Sequence, residues 1–125
     1  MQINLERPDT ANIVRQLETD AGGFRIIVGE NSYGESVIIT PQTLDLWGVA
    51  AVSEMTLEHF NQAALLCAEV VLLGTGGKLV FPAASLYRVL LDQGIGVEVM
   101  DTPAACRTYN ILAGDGRRVA AALIL

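Results

Sequence analysis

The stretch Gly94-Ile95-Gly96-Val97-Glu98-Val99-Met100-Asp101-Thr102-Pro103-Ala104-Ala105-Cys106-Arg107-Thr108-Tyr109-Asn110 decides the fold class of this chain. Its apolar run at 95–100 predicts a strand, and the Thr-Pro pair that follows predicts a helix beginning at Thr102. A residue before proline avoids helical angles, as an N-cap does, so Thr102 reads as the cap, with Asp101 adding a favourable charge near the helix N-terminus. Polar groups at a helix start, just past the carboxyl end of a strand, lie where open α/β sheets bind ligands. Asp101, Cys106, Arg107 and Asn110 are therefore candidate site residues.

Upstream, Glu69 to Leu73 is a second short apolar strand, ending in Gly74-Thr75-Gly76-Gly77-Lys78. A helix from about Pro82, placed at its first turn, to Gln93 follows, with Gly94 as its C-cap. Strand, helix and strand make a βαβ unit, which is expected to be parallel and right-handed. Downstream, Gly114-Asp115-Gly116 is a turn and Arg118 to Leu125 a final strand, almost wholly apolar, that belongs between two covered faces of a sheet. Helical periodicity also starts at Thr56, an N-cap candidate, and places Leu57, Phe60, Ala64 and Cys67 on one core-facing stripe. Before that point the pattern is β. Segments 12–18, 24–29 and 35–40, separated by Asp20-Ala21-Gly22-Gly23 and Glu30-Asn31-Ser32-Tyr33-Gly34, predict an antiparallel meander. A shorter strand is expected around Leu44 to Val49, with the lone Trp47 packed. The fold class is α/β: a central mixed sheet with a parallel βαβ unit, covering helices, and an N-terminal antiparallel β layer.

Composition narrows the function. The 125 residues suit one domain, 1–125, and no run approaches the roughly 20 apolar residues of a membrane span. A net charge of −6 with eight scattered Lys and Arg argues against nucleic acid as a partner. Residues 1–68 carry nine acids against three bases, whereas residues 69–125 carry five of each. Met1-Gln2-Ile3-Asn4-Leu5-Glu6 has neither the basic and apolar pattern of a secretory signal nor the Arg-rich character of an organelle presequence, so a cytoplasmic location is expected. Cys67 and Cys106 form no CxxC pair and read as free thiols, and the single His59 has no ligand-spaced neighbours, so neither a metal nor a cofactor is named by the sequence.

The carboxyl ends of strands 69–73 and 95–100 share one edge, which brings the glycine loop beside Asp101 and Thr102. Gly74, Thr75, Gly76 and Lys78 are binding candidates there, but the loop lacks the GxxxxGK[ST] and GxGxxG spacings, and a tight turn with positive-φ glycines explains it better than an anion site does. Helical geometry places Thr102, Cys106, Tyr109 and Ala113 on the sheet-facing stripe, which makes Cys106 a buried thiol before it is a nucleophile. Arg107 and Asn110, three apart, adjoin one another on a different side, with Ile111 exposed near them.

Four segments together resemble a known family: Val71-Leu72-Leu73-Gly74-Thr75-Gly76, Phe81-Pro82, Gly94 to Thr102, and Ala104 to Leu112. They are similar to the Mth938-domain family of small proteins of unknown biochemical function, which has a branch of mitochondrial complex I assembly factors. The resemblance covers roughly residues 24–125. It implies a three-layer α/β domain with an accessory β layer, and for the assembly-factor branch it implies protein binding in place of catalysis. The missing presequence points to a bacterial-type member. The leading expectation is a non-enzymatic binding or assembly module with a protein partner, with self-association left open. The alternatives are a small-molecule or thiol enzyme using Asp101, Cys106, Arg107 and the Gly74–Gly77 loop, and an anion-binding regulator at Lys78 and Arg107.

Overall fold

A computed structural model describes residues 11–125, so the opening Met1 to Glu6 segment lies outside the described residues. Among the described residues five strands come first and three helices then alternate with three more: β1 (Val14–Asp20), β2 (Gly23–Val28), β3 (Asn31–Tyr33), β4 (Val37–Ile39), β5 (Leu44–Leu46), α1 (Leu57–Ala64), β6 (Val70–Gly74), α2 (Ala84–Asp92), β7 (Gly96–Met100), α3 (Thr102–Gly114) and β8 (Val119–Leu123). They form a three-stranded antiparallel sheet, β1-β2-β3, and a mixed five-stranded sheet in the order β5-β4-β8-β6-β7. In the larger sheet β6 runs parallel to both β7 and β8, and β4 runs antiparallel to β8 and β5.

Alternation along the strands builds two cores, one on each face of the five-stranded sheet. Ile38, Val71, Leu73, Ala120 and Ala122 face α1 and α2, where they meet Phe60, Ala63 and Leu90. Val37, Ile39, Leu72, Ala121 and Leu123 face the other way, toward Ala105 and Tyr109 of α3 and toward Val14, Ile26 and Val28 of the small sheet. All five residues of β8 are buried, as a strand covered on both faces must be.

The expected meander is present but composed differently. Its third strand is β3, Asn31–Tyr33, a segment read from the sequence as a turn, whereas Val37–Ile39 leaves the small sheet and pairs with β8. Val37, Ile38 and Ile39 are all buried, so that run requires cover on both faces, which only the larger sheet supplies.

Helix α1 begins at Thr56 as predicted, and His59 Nδ1 accepts the Thr56 N–H at 2.9 Å. Its stripe ends early. The N–H groups of Leu65, Leu66 and Cys67 donate to carbonyls three residues back, which tightens the turn and rotates Cys67 off the core face. Cys67 is exposed with φ +56, a correction to the expected core position. Pro82 precedes the Ala83 cap of α2 and is buried instead of occupying the first turn. The other end is as expected: Gly94, at φ +78, donates to Leu91 O while Ile95 donates to Leu90 O, the paired bonds of a Schellman ending. Trp47 is buried, edge-on to His59.

Ala121 faces Ala105 and Tyr109 of α3, and its small side chain lets that helix lie close on β8. Ala121→Leu is expected to destabilise the protein by about 1–3 kcal/mol through overpacking, read as a lower denaturant midpoint. An unchanged midpoint would show that close packing at this strand is not a constraint.

Candidate functional site

Strands β6 and β7 send their connections to opposite faces of the sheet, β6 into α2 and β7 into α3. The crevice between their carboxyl ends is thus the switch point at which such sheets bind ligands. In this protein the chain closes it. Thr75 N–H donates to Met100 O at 2.9 Å, Thr102 N–H donates to Gly76 O at 2.8 Å, and Gly76 N–H returns a 2.8 Å bond to Thr102 Oγ1. The Thr102 hydroxyl also donates to Ile124 O at 2.7 Å, and the residue is fully buried.

The N-terminus of α3 is equally occupied. Asp101, not Thr102, is the cap: its Oδ1 accepts Ala104 N–H and its carbonyl accepts Ala105 N–H, both at 2.9 Å. Pro103 has no N–H, and Thr102 N–H is bound to Gly76, so the first turn keeps no donor for an anion. Thr102 fails as a cap because its hydroxyl turns inward to join the loop and β8.

The remaining sequence candidates separate. Gly74 is buried where a Cβ would stand 3.0 Å from Thr102 Oγ1 and 3.2 Å from Ala105 Cβ. Thr75 Oγ1 donates to Lys78 O at 2.5 Å and accepts Val80 N–H at 3.2 Å, and Gly76 has φ +95, so the loop is a tight turn. Asn110 does not lie outward with Arg107: it accepts Val14 N–H at 2.9 Å and donates to Val14 O at 2.8 Å, while Tyr109 Oη donates to Asn12 O at 2.7 Å. These bonds fasten the small sheet to α3. Lys78 and Arg107 are exposed, and among the described residues neither side chain has a hydrogen bond or ion pair.

Cys106 is buried, and desolvation pushes its thiol up to about 11, against the opposing pull of the Arg107 charge. A thiolate nucleophile needs the opposite shift. Among the described residues no group of three His, Cys, Asp or Glu side chains is placed to hold a metal ion.

An open cleft of about 420 Å³ lies beside the closed crevice, over the carboxyl ends of β6 and β8. Its walls come from the β1–β2 turn at Gly22 to Phe24, the segment from Ala50 to Ser53, the loop residues Thr75, Gly76, Gly77 and Val80, and the end of β8. Among the described residues no Asp, Glu, Lys, Arg or His side chain lines it. Sequence reading missed this cleft because its walls are remote in the chain. The two glycine pairs, Gly22-Gly23 and Gly76-Gly77, were its only local signal.

Fold and edge define an α/β domain whose ligand crevice is filled by its own loop and whose open concavity is walled by uncharged side chains. The chain belongs to the family described as protein of unknown function (DUF498/DUF598), whose model matches residues 17–124. It is 38% identical over 104 residues to NADH dehydrogenase [ubiquinone] 1 alpha subcomplex assembly factor 3 of Mus musculus, covering 82% of this chain and 55% of that protein. The same-named protein of Danio rerio is 36% identical, with 92% and 71% covered. The chain thus spans about half the length of the mouse relative. A 13 kDa major membrane protein of Francisella tularensis is 27% identical, with 82% of this chain and 84% of that protein covered. Among solved structures, a Xanthomonas campestris protein superposes with TM-score 0.79 at 38% identity, covering 99% of this chain and 92% of that one. A Mth938-like domain of Bordetella pertussis gives TM-score 0.75 at 31% identity, with 90% and 84% covered. The family resemblance and the α/β fold read from the motifs are both borne out.

Two measurements check this geometry. Thr102→Val leaves Gly76 N–H and Ile124 O without their partner and is expected to cost about 1–3 kcal/mol for each group. Thr102→Ser should restore most of that loss, and equal stability of Val and wild-type proteins would refute the node. For Cys106, the unfolded thiol at its ordinary 9.0 ionises before the folded one at about 11. Stability should therefore be intact below pH 9 and fall as pH rises toward 11. Cys106→Ala should remove that part of the decline in urea melts across the range.

Proposed function

We propose that the chain is a non-enzymatic assembly module, one Mth938-like domain over residues 1–125, that holds a partner protein while a multisubunit respiratory complex is built. The carrying observation is where the polar groups go. Asp101, Thr102 and the first-turn amides of α3 are consumed within the chain, while Lys78, Arg107 and several apolar side chains face solvent. Groups already bonded in the fold offer no catalytic hydrogen bonds, whereas exposed cations and apolar side chains suit a protein contact. In this reading Lys78 and Arg107 meet the partner, and Gly74, Thr75, Gly76, Asp101 and Asn110 fix the shape of the surface.

The assembly-factor names of the mouse and zebrafish relatives support the same reading. The high thiol pKa of Cys106 speaks against the thiol enzyme, and the occupied α3 N-terminus against the anion regulator. Among the described residues no helix is long and apolar enough to cross a membrane.

Deletion of the gene in the organism that encodes the chain tests the proposal. Membranes solubilised from the deletion strain are expected to show less intact NADH dehydrogenase on native gels, with subcomplexes accumulating, and the plasmid-borne chain should restore it. Normal assembly without the chain would refute the role.

A further inference from the structure

We propose that the cleft and the exposed segment Leu79-Val80-Phe81 form one docking site for an extended, acidic and apolar segment of a partner protein, an inference that rests on the assembly reading and deepens it. Leu79, Val80 and Phe81 are 53%, 44% and 65% exposed, three apolar residues in succession. Such surface is unfavourable in water by about 25 cal/mol per Å², and contiguous exposed patches mark contacts. The segment is held there. Thr75 Oγ1 bonds Lys78 O and Val80 N–H at its start, and Pro82 is buried at its end.

The segment and the cleft are continuous, because Val80 lines the cleft beside Gly76 and Gly77. Glycine walls admit close approach of another backbone, which favours an extended chain over a bulky side-chain surface. The side chains that line the cleft are uncharged, and Lys78, between Gly77 and Val80, is the single charged residue from Val70 to Tyr87. Among the described residues it is unpaired. A partner segment with apolar anchors for the cleft and a carboxylate for Lys78 satisfies both. At physiological salt the screening length is about 8 Å, so a short segment responds to Lys78 locally, whereas an anionic bilayer meets a molecule of net charge −6. A second copy docked symmetrically would set Lys78 near its counterpart.

A displayed library of random dodecapeptides, selected on the immobilised full chain, supplies the probe. Selected peptides are expected to pair Asp or Glu with Leu or Phe and to shift the amide resonances of Gly77, Val80 and Phe81. Gly77→Leu fills the cleft at a position whose Cβ would meet only the Phe24 ring, at 3.9 Å, so its melting temperature should match wild type. It should weaken peptide binding at least about tenfold. Lys78→Glu should weaken it about threefold, as loss of an exposed ion pair does, and select basic peptides instead. No enrichment, or peptides indifferent to both variants, would overturn the site. So would binding of phosphatidylglycerol vesicles lost in Phe81→Ser, or self-association in sedimentation lost in Gly77→Leu. If Gly77→Leu restores complex assembly in the deletion strain, this site falls and the assembly role stands. If deletion leaves assembly normal while peptides still bind at the cleft, the role falls and the site stands.

Discussion

The hydroxyl of Thr102 is the interaction on which the edge of this sheet depends. It donates to Ile124 O and accepts from Gly76 N–H, and so joins the start of α3, the end of β8 and the loop after β6. Two backbone groups that a buried edge would otherwise leave unpaired are satisfied by one side-chain oxygen. The arrangement works only if the three segments come close, and that requirement falls on Gly74. A Cβ there would meet Leu123 Cδ2 and Thr102 Oγ1, each at 3.0 Å, so the glycine is demanded by packing and not by a phosphate.

A second polar fastening holds the layers together. Asn110 supplies both a donor and an acceptor to Val14, in the manner of a neighbouring strand, close to the point where β1 shifts register against β2 between Val14 and Gln16. Tyr109 Oη reaches Asn12 O from the same helix turn. Helix α3 thus contributes apolar burial through Ala105, Cys106 and Tyr109 and directional bonds through Tyr109 and Asn110. Burial alone would allow the small sheet to slide, since apolar attraction is non-directional, and the two hydrogen bonds to Val14 fix its position.

Most of the fold was legible because periodicity and burial agree in the second half of the chain. The apolar runs at 70–74, 96–100 and 119–123 read as strands, and the last, without a polar residue, as one covered on both faces. The first half misled at Val37–Ile39, where β propensity was read correctly but the choice of sheet was not, because which partner strand covers a run is a tertiary fact. Cys67 escaped for a local reason: a helix that tightens into i→i−3 bonds loses its stripe, and composition does not announce that change. At the site, residue type identified the right neighbourhood but not the duties. Thr102 looked like a cap and is a cross-brace; Asn110 looked like a ligand contact and is a fastening. Hydrogen-bonding side chains serve structure and binding with the same atoms, and sequence alone does not say which demand is met first.

That competition also explains why chemistry is scarce here. A doubly wound edge can keep its helix N-terminus open for a ligand only if something else satisfies the loop that borders it. In this chain the loop after β6 satisfies α3 and α3 satisfies the loop, a closed exchange in which Gly76 and Thr102 trade both donor and acceptor. The exchange costs the crevice its function and gives the loop a fixed shape. A fixed loop can then carry what a mobile one could not: the exposed row Leu79-Val80-Phe81, held at both ends beside an open cleft. Because the row is already ordered, a partner that covers it gains apolar burial without the added entropy of fixing a loop, the condition under which a modest patch becomes an effective contact.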